Sequence, residues 1–303
     1  MKVVLTGATG VIGSALAGAL LERGDQVVVL SRDAERARAK LSGAEAHTWA
    51  DPLEEPPPAA ALEGADAVIH LLGENVAQRW STATKRMIRE SRVLATSNLV
   101  AAMRDSGDSP GVLVSGSATG FYGPRGDEPV DESEPFAPGD FLAEVCHDWE
   151  RAAGRATDHG VRVVTARTGV VLSPSGGALE KMLPFFKLGV GGPVAGGRQY
   201  VPWIHLDDQV GALLHCLDSA EAKGPVNLTA PRPVTNRELS KELGRVLHRP
   251  AFAPVPGLAI KALYGEMASI VTGGVRAVPS RLQSLGYRFI RPDLGDALRQ
   301  SVA

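Results

Sequence analysis

Lys2-Val3-Val4-Leu5-Thr6-Gly7-Ala8-Thr9-Gly10-Val11-Ile12-Gly13 is the stretch on which the reading of this chain turns. A short apolar run leads into glycines three residues apart, and beyond them Ile12, Leu16 and Leu20 recur every fourth residue. The run predicts a buried strand; the spacing predicts a helix over 12–22, stopped by Arg23-Gly24. Gly7 and Gly10 let the backbone turn tightly and approach a ligand, while Gly13 lets the helix pack close to the sheet. A helix N-terminus directs backbone N–H groups at an anion, so Thr6, Gly7, Thr9, Gly10, Val11, Ile12 and Gly13 are expected to hold a pyrophosphate.

Outward from this loop the same rhythm repeats. Apolar runs predict strands over 26–30, 46–49, 67–72, 112–115 and 162–167, and amphipathic runs predict helices over 34–41, 82–103 and 141–157. Alternation of this kind implies parallel crossovers, hence an α/β fold with a Rossmann-like, doubly wound parallel sheet. Past residue 172 glycines and prolines make a loop-rich region around a helix over 179–188, the sort of segment that carries substrate contacts. Regular elements return over 201–205, 208–217 and 226–228, and a last helix is expected over 258–271. The segment 54–61 reads as a surface loop. Residues 1–172 with about 200–230 are expected to form the nucleotide-binding domain, and 173–199 with 231–303 a substrate lobe and small C-terminal domain.

The 303 residues, 44% of them hydrophobic, suffice for one large or two unequal domains. Lys plus Arg (32) nearly balance Asp plus Glu (34), which argues against a nucleic-acid partner. Cys146 and Cys216 are too few for a disulfide framework and lack metal-ligand spacing, so a reducing cytoplasm and no metal are expected. No apolar run is long enough for a membrane helix, and the immediate strand after Met1-Lys2 predicts no signal peptide.

The end of the second strand selects the cofactor. An acidic residue there would hold the ribose 2′-hydroxyl of NAD; this chain has Ser31-Arg32. Arg32 can stack on adenine and pair with a 2′-phosphate, with Ser31 and Arg36 as further donors, so NADP(H) is expected. Asp33 weakens that preference if it turns inward, and leaves it intact if it caps the following helix. Asp51 sits where an adenine amino group is read, or in a plain turn.

The glycine loop, Leu71-Leu72-Gly73, Ser115-Gly116-Ser117-Ala118-Thr119-Gly120-Phe121-Tyr122-Gly123 and Trp203-Ile204-His205-Leu206-Asp207-Asp208 together resemble the extended short-chain dehydrogenase/reductase superfamily. Gly73-Glu74-Asn75, Arg79-Trp80, Lys85, Ser91-Arg92 and the run from Asp140 to Cys146 are similar to its atypical, epimerase-like subgroup, labelled nucleoside-diphosphate-sugar epimerase or cell-division-inhibitor-like. The tail over 273–289, with Pro279-Ser280-Arg281-Leu282 and Gly286-Tyr287, resembles that subgroup's small C-terminal domain of unknown function.

The superfamily's chemistry, as the resemblance implies it, rests on Ser, Tyr and a Lys four residues after the Tyr. Ser117 matches the serine, but the helix alignment puts Leu142 at the tyrosine and Cys146 at the lysine, and neither can do that work. Tyr122 is the substitute phenol that the loop offers, or else a structural turn residue. Cys146 is either reactive or a buried packing residue, while Glu144 and His147 share its helix but not its face. The resemblance sets Leu71, Leu72, Gly73 and Glu74 along the cofactor, with Cys146 and Arg167 beside it. Asn75, Arg79, Trp80, Tyr200 and His205 fall on the substrate side, with surface capping the alternative for Glu74, Asn75, Arg79 and Trp80 and a helix-start partner the alternative for His205.

The expected protein is an atypical NADP(H)-dependent oxidoreductase acting on a small carbonyl or alcohol, as a monomer or homodimer. A nucleotide-sugar epimerase and a non-catalytic NADP(H) sensor stay open beside it.

Overall fold

A computed structural model describes residues 1–107 and 109–302. Strands β1 (Lys2–Thr6), β2 (Gln26–Ser31), β3 (Glu45–Thr48) and β4 (Ala67–His70) alternate with helices α1 (Val11–Glu22), α2 (Ala34–Lys40) and α3 (Ala59–Leu62). Helix α4 (Thr82–Asp105) leads to β5 (Val112–Ala118), and after the short β6 (Pro129–Val130) come α5 (Phe141–Gly154) and β7 (Arg162–Thr168). Next follow β8 (Val170–Leu172), α6 (Gly177–Lys187), β9 (Tyr200–Val201), β10 (Trp203–His205), α7 (Leu206–Asp218) and β11 (Gly224–Leu228). The tail contains β12 (Val234–Thr235), α8 (Asn236–Leu247), α9 (Gly257–Tyr264), α10 (Ala268–Thr272), β13 (Arg276–Ala277), α11 (Ser280–Ser284) and α12 (Leu294–Val302).

Seven strands form one parallel sheet in the order β11-β7-β5-β4-β1-β2-β3, the doubly wound arrangement expected. Its central strands are apolar on both faces because both are covered. Val3 and Leu5 pack with Leu16 and Leu20 on one side, and Val4 packs with Leu99 and Met103 on the other. Full burial of such side chains contributes about 1.5–3 kcal/mol each. The order reverses between β1 and β4, so a crevice opens at their C-terminal ends, directly above the glycine loop.

Three expected elements come out differently. The strand over 201–205 is interrupted at Pro202, which has no N–H to donate: β9 pairs with β12 and β10 with β8. The helix over 258–271 breaks at Gly265, whose φ of +63° no helix accommodates. The loop over 54–61 ends in the helical turn α3, with Ala61 and Leu62 buried under the sheet.

The tail is strapped to the sheet domain at two places. Strand β13 pairs with β6. The buried Asp208 carboxylate accepts hydrogen bonds from the Tyr287 hydroxyl (3.0 Å), Ile290 N (2.7 Å) and Arg291 N (2.8 Å).

Candidate functional site

The glycine loop has the geometry its spacing predicts. Gly7 stands at φ +68°, where a side chain is strained, and a Cβ there would lie 2.6 Å from the Leu71 carbonyl oxygen. At Gly13 a Cβ would meet the Gly7 carbonyl oxygen at 2.2 Å. Gly10 N donates to Gly7 O at 3.0 Å and closes the turn. Gly10 also caps α1 without any side chain, and the first turn holds no acidic residue, so nothing competes with an anion for the first N–H groups. A pyrophosphate fits this cradle.

Thr6 is corrected from ligand contact to clamp. It is wholly buried; its Oγ1 accepts from Leu71 N (3.1 Å) and Leu72 N (3.2 Å), which makes it the donor to His70 Nδ1 at 2.8 Å. His70 Nε2 then meets Thr96 Oγ1 at 3.0 Å. This chain sets the turn over 71–73 beneath the crevice. Polar alternation around a buried histidine has no sequence signature, so the motif reading missed it.

At the end of β2 the Asp33 carboxylate caps α2, accepting from Arg36 N at 2.9 Å, while Ser31 Oγ accepts from Asp33 N at 3.2 Å. Asp33 therefore does not turn inward. Arg32 and Arg36 are exposed and make no ion pair among the described residues. Lys40 Nζ donates to the Thr9 carbonyl at 2.7 Å, bringing to the loop a cation that the sequence reading missed. Asp51 Oδ1 accepts from Leu53 N at 3.1 Å in a turn.

On the other side, Ser117 Oγ donates to Glu150 Oε1 at 2.6 Å. Glu150 is held by Arg167 through both carboxylate oxygens at 2.8 Å, and Arg167 Nη1 donates to the Tyr122 hydroxyl at 2.9 Å. Two site expectations are corrected here. Tyr122 is wholly buried, its hydroxyl donates to Asn227 Oδ1 at 2.7 Å, and burial pushes its phenol up to about 12, so it presents no proton to the crevice. Arg167, 3% exposed, lies 3.5 Å from the Phe121 ring centroid, its guanidinium consumed inside the protein rather than on a ligand.

Cys146 is buried, and burial pushes its thiol up to about 12, which favours its packing role over a reactive one. Leu142 abuts Gly120 at the end of β5. The wall facing Ser117 thus presents, at these two positions, an aliphatic side chain and a thiol that holds its proton. Glu144 is bound by Arg89, and His147 stacks on Phe136 at 4.2 Å, both away from that face.

A cavity of about 620 Å³ opens beside Leu142, between the segment after Gly73, the start of α5 and α9–α10. Trp80, Phe141 and Leu142 form its apolar side, and Lys85 paired with Glu266 at 2.5 Å, Lys261 and Ser269 its polar side. Of the substrate-side expectations only Trp80 lines it. Glu74 Oε1 accepts from Gln78 Nε2 at 3.2 Å, Asn75 Oδ1 accepts from Ala77 N, and Arg79 Nη1 donates to the Ala262 and Leu263 carbonyls, so Asn75 caps a turn and Arg79 holds α9. Tyr200 lies under the Arg276 guanidinium, away from this cavity. His205 is buried as the cap of α7, accepting from Asp207 N at 3.1 Å. A larger cavity, about 760 Å³, runs along the N-terminal ends of β7 and β11, at the opposite end of the sheet from the glycine loop.

Doubly wound sheet, glycine cradle and crevice define a dinucleotide-binding α/β protein. The chain belongs to the NAD dependent epimerase/dehydratase family, whose model matches residues 3–229, and residues 255–301 match a domain of unknown function, DUF1731. An epimerase family protein of Mycobacterium tuberculosis is 43% identical over 298 residues, 98% of this chain and 96% of that one. A chloroplastic epimerase family homologue from Arabidopsis thaliana is 40% identical, covering 99% of this chain and 86% of that one. Among solved structures, the human epimerase family protein SDR39U1, crystallised with NADPH, superposes with a TM-score of 0.88 at 33% identity, covering 100% of this chain and 99% of that one. No helix among the described residues is long and apolar enough to cross a membrane.

Proposed function

We propose that this protein binds NADP(H) in the crevice above the glycine loop and interconverts a small carbonyl compound and its alcohol in the adjoining cavity. The observation that carries the cofactor assignment is the end of β2: Asp33 is spent on capping α2, leaving Arg32 exposed with no acidic partner where a 2′-phosphate would lie. The solved relative that carries NADPH supports the same assignment.

When bound, the nicotinamide supplies or takes up a hydride. The chain's own part is to bind and orient. Ser117 already donates to Glu150, so its oxygen offers a lone pair to an alcohol O–H; to donate to a carbonyl it must leave Glu150. Leu142, Phe141 and Trp80 exclude water from one side of the substrate. With Tyr122 buried and Leu142 and Cys146 on the facing wall, the proton that balances hydride transfer comes from water or the substrate. The same wall makes an epimerase cycle of oxidation and re-reduction the less favoured enzymatic reading. The protein's two cysteines, Cys146 and Cys216, are free and buried, which suits a reducing cytoplasm.

Calorimetric titration with NADPH and NADH tests the cofactor. Wild type is expected to bind NADPH at least about tenfold more tightly than NADH, and Arg32→Ala to erase that margin, the scale of a charge-assisted phosphate contact. Equal affinities, or no binding, reject it. A second reading, an NADP(H) sensor without turnover, is favoured by Leu142 and Cys146. Consumption of NADPH with any member of a mixed carbonyl panel decides against it.

A further inference from the structure

The C-terminal lobe has an apolar side that its core does not use. Inside, Leu179, Phe186, Leu239 and Leu243 pack together. Outside, Phe185 and Leu188 at the end of α6, Val190 and Phe252 in two loops, and Leu258 and Leu263 on α9 stand open to solvent, with Leu188, Phe252 and Leu258 exposed by 77%, 81% and 82%. Distant in sequence, these residues are neighbours in space. The segments 189–195 and 250–257 run side by side in the same direction: a Cβ on Gly189 would lie 3.4 Å from the Pro250 ring, and one on Gly257 would lie 3.2 Å from the Ala195 side chain. Between those points Val255 N donates to Pro193 O and Ala195 N to Val255 O, both at 2.9 Å. Leu258, Ala259, Ala262 and Leu263 continue the surface, sharing one exposed side of α9 at helical spacing.

Charge decides what meets this face. The stretches 181–198 and 249–264 contain Lys181, Lys187, Arg198, Arg249 and Lys261 and no aspartate or glutamate, in a chain whose net charge is −2. All five cations are exposed, and none has an ion-pair partner among the described residues. Lys187 adjoins Leu188, and Arg249 reaches the same edge of the patch, its Nε donating to the Lys187 carbonyl at 3.1 Å. A second copy of this chain would set these cations against their own kind across a two-fold axis. Side chains that protrude from three separate segments enter a fluid interface without having to match its shape, and cations beside them favour one that carries phosphate headgroups.

We propose that this face of the lobe docks on an anionic lipid bilayer, Leu188, Phe252 and Leu258 entering the boundary between headgroups and acyl chains while Lys187 and Arg249 meet lipid phosphates. The attachment is peripheral rather than a span, and it does not depend on the NADP(H) reading. It lays the bilayer against α9, the helix that walls the cavity beside Leu142.

Co-sedimentation of the whole chain with vesicles tests this, phosphatidylcholine alone against phosphatidylcholine with about a third phosphatidylglycerol. Wild type is expected to bind the anionic vesicles at least about tenfold more tightly than the neutral ones, and to be released from them by high salt. Leu188→Ser combined with Phe252→Ser is expected to weaken that binding at least about tenfold, and Lys187→Glu severalfold, with thermal unfolding unchanged because all three side chains are exposed. If the double variant does not fold, Phe252→Ser alone is read in the same way. Wild type that ignores anionic vesicles, binds both kinds equally, or is matched by the variants overturns the proposal. A wild-type dimer that the double variant dissociates, with no vesicle binding, overturns it too and assigns the face to a second copy. Each of these results leaves the NADP(H) reading to its own titration.

Discussion

At position 70 a histidine occupies the centre of a parallel sheet with no access to water, and the network around it assigns its state. Thr6 donates to Nδ1, leaving Nε2 to carry the proton toward Thr96, whose hydroxyl in turn donates to the Arg92 carbonyl. Burial lowers its pKa from 6.5 to about 3, so the ring stays neutral in the folded protein while the unfolded chain takes up a proton below pH 6.5. The unfolded state then binds more protons, and stability from this residue, complete above pH 6.5, is lost as pH falls toward 3, by up to about 1.4 kcal/mol per unit. His70→Asn is therefore expected to be less stable than wild type at pH 7.5, by a margin that shrinks by about 2 kcal/mol at pH 5 in urea unfolding. A margin independent of pH would mean that the ring is not held neutral. None of this was legible in AVIH, where the histidine looks like one more residue of a buried strand. Tyr122 teaches the converse. It stands beside the serine motif and reads either as a substitute phenol or as a structural turn residue, and the choice falls to Asn227, 105 residues away, and Arg167, which claim its hydroxyl.

At the scale of elements, the wall over the candidate substrate cavity is α9, a helix with no buried side chain, and its hold on the rest is polar. Arg79 donates to the carbonyls of its last turn, and Lys85 pairs with Glu266 just beyond it. Between α9 and α10 the chain turns at Gly265, φ +63° and ψ −136°, a conformation nearly closed to other residues. Gly265→Ala is expected to cost about 1–3 kcal/mol, concentrated in this lobe. Limited proteolysis should then cut within 250–275 faster than in wild type while NADPH affinity stays the same. Unchanged cleavage would show that the turn relaxes without strain. Apolar periodicity had predicted one continuous helix here, since Leu258, Leu263 and Ile270 read alike whether or not a turn separates them.

Across the whole molecule, Asp208 is the joint between the sheet domain and the last 20 or so residues. It is 1% exposed and satisfies Tyr287, Ile290 and Arg291 at once. Asp208→Ala would take the acceptor from those three part-buried donors, at a cost of about 1–3 kcal/mol. Hydrogen exchange is expected to rise at Ile290 and Arg291 and through α12, more than in the central strands; uniform acceleration would indicate a global rather than a local joint. The motif containing Asp208 is visible in the sequence as a family resemblance, but its partners lie far along the chain, Ile290 being 82 residues further on.

The sequence alone determined the doubly wound sheet, the glycine loop and the preference at the end of β2, because each is a local matter: periodicity, backbone freedom and the residue type following one strand. Tertiary structure alone decided which side chains face the crevice. It withdrew Thr6, Tyr122, Arg167 and His205 into internal hydrogen bonds, settled Asp33 as a helix cap, and brought Arg92 to the C-terminal end of β4. Partners for buried polar groups come from anywhere in the chain, and burial makes an unmet hydrogen bond costly, so these assignments follow from packing rather than from spacing.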